Sequence, residues 1–200
     1  MKKKILALSL AIITCFSLCA CGGEEIEKFK VGEVASTSKA EFTLTRFEIG
    51  EVLDNSTSYD EYMVVIENPT NADKQSGKYA NPFVAESGKC LISITFTIKN
   101  IGKETLDWVG ASRYVADMLK INYNNGYEFE FEDDDCALYT DGSWESNGVL
   151  LDIEPLSNAY EYRAYVEVSS EVMTDTSNSL VLQVKLPTDK RSQTIEYVIR

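Results

Sequence analysis

The chain has 200 residues, with 19 Lys plus Arg against 32 Asp plus Glu, no histidine and a formal net charge of −13. A surface of that sign repels phosphate backbones, so nucleic acid is not an expected partner. The absence of histidine removes the usual triad base, the commonest zinc ligand and the usual proton shuttle.

Residues 1–20 have the three parts of a secretory signal: Lys2, Lys3 and Lys4 at the start, an apolar body from Ile5 to Ala20, and small residues before Cys21. The body is shorter than the ~20 apolar residues a spanning helix needs, which predicts a cleaved leader. Its last residues, Leu18-Cys19-Ala20-Cys21, followed by Gly22 and Gly23, resemble the bacterial lipoprotein signal, with Cys19 where Ala, Ser or Thr is commoner. That resemblance implies cleavage before Cys21, a diacylglycerol on its sulfur, and a protein held on the cell membrane, facing outside the cytoplasm. Two acyl chains hold a protein on a bilayer far more firmly than one. Loss of the leader removes three lysines and no acids, leaving 16 basic against 32 acidic residues, a net of −16. The mature domain is therefore expected to stand off the membrane. Residues 21–39, with Glu24, Glu25, Glu27, Lys28 and Lys30 and few large apolar groups, read as a flexible acidic tether reaching on the order of 20 to 25 Å.

Residues 40–200 are long enough for one domain with a real core. Phe42 and Leu44 share one parity and Phe47 and Ile49 the other, which predicts a bulge near Thr45-Arg46. A strand is possible over Tyr62 to Ile66. In Leu91 to Lys99, Ile92, Ile94, Phe96 and Ile98 lie on one side and Ser93, Thr95 and Thr97 on the other, the period of a strand, before an Asn100-Ile101-Gly102 turn. Leu119, Ile121 and Tyr123 alternate before Asn124-Asn125-Gly126, and Tyr127, Phe129 and Phe131 after it. A two-residue loop would set Ile121 against Glu130. A three-residue loop with Gly126 left-handed pairs Tyr123 with Tyr127, Ile121 with Phe129 and Leu119 with Phe131. Further strands are predicted at Val149 to Ile153, Tyr160 to Val168, Leu180 to Leu186 and Ile195 to Ile199, with a single helical turn around Ser170 to Thr174. Seven to nine short antiparallel strands with turns between them predict an all-β, immunoglobulin-like β-sandwich.

The run from Gly88 through Lys99-Asn100-Ile101-Gly102, the later Asn125-Gly126-Tyr127, and Ile153-Glu154-Pro155-Leu156-Ser157 before a strand resemble the telokin-like, immunoglobulin-like domain of many Gram-positive lipoproteins, over roughly residues 84 to 187. The family usually has Gly after that proline, where this chain has Leu156, and the segment from Gly50 to Gly88 is longer than the family's loop. The resemblance implies a sandwich on a lipid tether and carries over no catalytic residue.

Within the domain two cysteines remain, Cys90 and Cys136, as an exported disulfide or as two separate buried thiols. The acidic run Glu128, Glu130, Glu132, Asp133, Asp134 and Asp135 lacks the spacing of an EF-hand, and its first members read as the solvent face of a strand, so no metal is expected. There is no Gly-x-Ser-x-Gly, phosphate-binding glycine loop or Cys-x-x-Cys in the domain, and neither catalysis nor a cofactor is expected. Aromatics in polar segments are the remaining candidates: Tyr59, Tyr62 and Tyr79 before Gly88, and Trp144 within Asp141-Gly142-Ser143-Trp144-Glu145. They either contact a ligand or fold back to cover the sandwich. The leading expectation is a lipid-anchored binding module for a protein, glycan or small solute. An accessory subunit of an envelope complex comes second and an envelope enzyme third.

Overall fold

Two facing sheets follow from this alternation, because each strand with one apolar side must bury that side against another. The computed structural model describes residues 26–53, 64–65, 79–80, 83–106, 114–132, 135–140, 143–146 and 149–200, with backbone alone for 52–53, 64–65, 79–80, 83–84, 140 and 143–146. The first sheet has the order β1 (Glu27–Phe29), β15 (Ser192–Val198), β14 (Leu180–Pro187), β9 (Leu119–Tyr123), β10 (Tyr127–Glu130). The second has six strands: β12 (Ser143–Ser146), β11 (Cys136–Thr140), β13 (Tyr160–Ser169), β8 (Lys89–Asn100), β3 (Ala40–Gly50) and β2 (Val34–Ser36). Two short pairs lie outside these sheets, β4 (Val52–Leu53) with β7 (Phe83–Val84), and β5 (Val64–Val65) with β6 (Tyr79–Ala80). The fold is a β-sandwich with more strands than the seven to nine expected. Two of its strand pairings, β1 with β15 and β5 with β6, are parallel.

Ile92, Ile94, Phe96 and Ile98 are fully buried between the sheets, as their shared parity requires. An aromatic row joins the layers: Phe42 stacks on Phe96 at 4.9 Å, Phe96 on Tyr162 at 5.6 Å, and Phe42 meets Tyr197 of the opposite sheet at 5.6 Å. Each such side chain stabilises the fold by roughly 1.5–3 kcal/mol.

The bulge falls between Leu44 and Arg46, where the register of β3 against β8 shifts, and the Thr45 hydroxyl donates to the Thr95 carbonyl at 2.9 Å. In the β9–β10 hairpin Tyr123 pairs with Tyr127 and Ile121 with Phe129, the three-residue-loop register. The left-handed residues of that loop are Asn124 and Asn125, each at φ 51°, and not Gly126. Asparagine tolerates this region almost as glycine does, because its short polar side chain bonds locally. The helical turn is present as α1 (Ser170–Thr174), its Ser169 side chain accepting from the Glu171 N–H. Val149 and Ile153 make only isolated bridges, to Tyr114 and Leu106.

The reading of residues 21–39 as a flexible tether needs correction. Glu27, Lys28 and Phe29 pair with Ile195, Glu196 and Tyr197, and Val34 to Ser36 pair with β3. The physical reason is Phe29, whose ring packs 5.7 Å from that of Tyr197, together with Ala35, which is fully buried. These two apolar groups anchor a polar segment to both sheets.

Candidate functional site

The turns sort into two ends. At one lie the β2–β3 turn, residues 101–105, the Glu154–Ser157 turn and the β14–β15 turn. The Thr37 hydroxyl donates to the Pro187 carbonyl at 2.8 Å and the Asp189 N–H to the Ser38 hydroxyl at 3.1 Å, so the two sheets close on each other here. Asn100, buried at the end of β8, holds the neighbouring loops: its amide donates to the carbonyls of Glu104 (2.8 Å) and Ile153 (2.7 Å) and accepts from the Gly102 N–H (2.7 Å). A Cβ on Gly102 would stand 3.2 Å from the Asn100 side-chain oxygen, which accounts for glycine in that turn. Around this clamp lies an open groove of about 390 Å³, lined by Ser38, Lys39, residues 101–106 and Asp189. Every donor and acceptor of the Asn100 side chain is engaged in holding loops, so its floor is structural.

At the opposite end, Asp175 organises the chain between α1 and β14. Its carboxylate accepts from the Ser177 N–H (2.8 Å) and hydroxyl (2.6 Å), from the Asn178 amide and from the Tyr123 hydroxyl. The Ser177 and Tyr123 bonds hold its pKa far below the usual carboxylate range.

The outer face of the six-stranded sheet departs from simple alternation. Ser93, Thr95, Arg163, Tyr165 and Leu91 have the parity of a solvent face, yet all are buried, Arg163 at 6% exposure. Leu91 and Tyr165 form a small second cluster with Ala85, and β4 and β7 both adjoin β8, so the end of the connection between β3 and β8 meets this face. It is fastened at its C-terminal side by the Glu86 N–H to Glu167 (2.8 Å) and by Lys89, which bridges Glu167 (2.6 Å) and Glu86 (2.9 Å). The Glu167 partner raises the Lys89 pKa, and the same bond lowers that of Glu167. Beneath, Arg163 donates to the Tyr165 hydroxyl at 3.2 Å and stands opposite Thr95 in register. A guanidinium with a phenol and two hydroxyl side chains on a covered face forms a set suited to oxygen acceptors. Alternation alone missed this site. Its signal was the Ser and Thr row of β8, with no charge until Lys99, beside a long preceding connection.

The residues singled out from sequence are not brought together. Cys21, Tyr59 and Tyr62 lie outside the described residues, as do most of residues 68–81, and Tyr79 is described only as backbone in β6. Trp144 is not in a loop: it sits in edge strand β12, opposite Tyr139, because residues 143–146 complete a hairpin with β11. Cys90 and Cys136 are free, buried thiols, and the disulfide alternative fails on register. Cys90 pairs with Val168 and Cys136 with Ala164 on opposite sides of β13. Four residues along the strand and two strand spacings across put them roughly 16 Å apart, against a Cα limit of about 7 Å for a disulfide. Burial raises the Cys90 thiol pKa. Of the acidic run, Glu128 and Glu130 pair with Lys120 at 2.9 and 3.3 Å. Lys120 belongs to a row that continues through Gln183, which bonds Glu196 at 3.0 Å, to Lys28, and this row neutralises the outer face of the five-stranded sheet. Among the described residues no group of three or more acidic or cysteine side chains is placed to hold a metal ion.

No family model and no curated protein matches the chain. Among solved structures it is similar to an uncharacterized β-sandwich protein from Clostridium difficile 630, with a TM-score of 0.56 and 18% identity, over 92% of this chain and 100% of that one. At that identity the likeness concerns the fold, a β-sandwich.

Proposed function

We propose that the protein is a lipid-anchored interaction module on the outer face of the cell membrane, of the telokin-like, immunoglobulin-like type, acylated at Cys21. The observation that carries this reading is the Leu18-Cys19-Ala20-Cys21 motif at the end of an apolar leader, with β1 starting only six residues after Cys21. Recognition of a protein, glycan or small solute falls to the long connection between β3 and β8, whose residue Ala85 packs on Leu91 and Tyr165 of the outer face of the six-stranded sheet. Connections of that length are usually functional. The test is metabolic labelling with an alkyne fatty acid: wild-type protein takes the label and Cys21→Ser does not. A wild-type protein that is exported without label ends the reading.

A second reading, an accessory subunit of an envelope complex, is favoured by Tyr127, 61% exposed on edge strand β10, where another chain could add a strand. A Tyr127→Lys variant that loses its envelope partner, while a shortened β3–β8 connection keeps it, would support this reading over the first.

A further inference from the structure

The docking of β1 bears on how the domain sits on its membrane. Because β1 runs parallel to β15 and Glu27 pairs with Ile195, the chain enters the sandwich from the end at which β15 begins, the end of the β14–β15 turn and the Glu154–Ser157 turn. From Cys21 to Glu27 is six residues, at most ~21 Å of extended chain. About 10 Å of this is used in passing from the level of Ile195 to that of Ser192, where the strand begins. A lipid on Cys21 therefore holds this end within roughly 10 Å of the anchor. The domain has no length of tether on which to stand away.

That end is built differently from the rest of the surface. Leu156, at the tip of its turn, is 99% exposed with φ 65°, a left-handed conformation that costs a branched side chain about 1–2 kcal/mol per residue. Ile101 and Ile26, the residue before β1, are exposed at the same end. Lys39, Lys103, Lys190 and Arg191 stand there against Glu104, Glu154 and Asp189, and none of the four cations has an ion-pair partner among the described residues. With Glu24 and Glu25 of the linking residues, these named groups sum to −1.

Resting on the acylated-Cys21 reading, we propose that this end is seated on the phospholipid surface, with Leu156 entering the headgroup layer and Lys103, Lys190 and Arg191 beside lipid phosphates. An apolar tip at an end that also carries unpaired basic side chains suits that boundary, where leucine gains an apolar environment and cations keep their hydration. The opposite end, with Tyr127 and Asp175, then points away from the membrane.

The test uses the full chain, processed in a bacterium and reconstituted in phosphatidylcholine–phosphatidylglycerol vesicles. Leu156→Cys and, at the far end, Tyr127→Cys are labelled with an environment-sensitive nitrobenzoxadiazole dye, to which Cys90 and Cys136 are closed by burial. The expected result is co-flotation of both proteins, with emission moved to shorter wavelength and quenched by spin-labelled lipid at position 156 and water-like emission at 127. Co-flotation with water-like emission at 156, or equal shifts at both positions, overturns the seating and leaves the anchor intact. Failure to float overturns both.

Discussion

Tyr197→Phe tests how the two layers are joined. The Tyr197 hydroxyl, on the fully buried Tyr197 of β15, shares its single proton between the carbonyls of Glu33 (2.8 Å) and Phe42 (2.9 Å), linking the five-stranded sheet to the entry segment and to β3 of the other sheet. Phenylalanine keeps the ring contacts with Phe29 and Phe42, so the substitution isolates the hydroxyl. Buried carbonyls deprived of a donor cost about 1–2 kcal/mol, or roughly 2–8 °C in Tm for a domain of this size. Burial also raises the pKa of Tyr197 to about 12. A folded-state pKa above that of the unfolded chain means that the group's stabilisation is complete below about pH 10 and is lost as pH rises toward 12. Urea unfolding of wild type and variant at pH 8 and pH 11 is the assay. The wild type is expected to be the more stable by about 1–2 kcal/mol at pH 8, with the gap narrowing at pH 11. Equal midpoints at pH 8, or a gap that stays constant, would refute the reasoning. Tyr162, whose pKa burial likewise raises to about 12, contributes the same alkaline loss to both proteins.

Leu156→Gly is expected to raise stability by about 0.5–1 kcal/mol, the relief of the left-handed strain less the extra freedom of glycine in the unfolded chain. A lower urea midpoint would contradict it. Gly126→Ala should leave stability unchanged or slightly higher, since Gly126 is outside the left-handed region and an added Cβ meets nothing nearer than 3.7 Å. Gly88→Ala, at φ 81°, should lose about 1 kcal/mol; thermal melts of the pair distinguish the two backbones. The Asp175 carboxylate, held at depressed pKa by Ser177 and Tyr123, contributes stability that is present above the ordinary Asp pKa of about 3.9 and lost as pH falls below it. Asp175→Asn should flatten the dependence of unfolding on pH from about 5 downward, through the ordinary Asp pKa toward the depressed folded one. In native protein neither Cys90 nor Cys136 should react with an alkylating reagent, reductant should leave Tm unchanged, and both should react in denaturant. Protection from alkylation in denaturant that reductant removes would restore the disulfide.

What this chain specifies locally is what could be read from its residues. The alternation of β8, the three-residue hairpin loop at Asn124 to Gly126, the bulge at Thr45 and the single turn of α1 each depend on neighbours a few positions away, where side-chain period and turn chemistry act. Even there, the left-handed residues of the hairpin loop are Asn124 and Asn125 and not Gly126, and the Asn124 N–H donates to the Ser179 carbonyl just before β14. Only the tertiary structure decided what met the outer side of each strand. Period two states that Ser93, Thr95, Arg163 and Tyr165 share a face, but not that this face is buried. It is equally silent on Glu27 to Phe29 finding β15, some 170 residues away, and on Cys90 and Cys136 facing one core two strands apart. Those outcomes rest on contacts between distant segments, whose energies come from burial and cross-sheet hydrogen bonds and leave no period in the sequence.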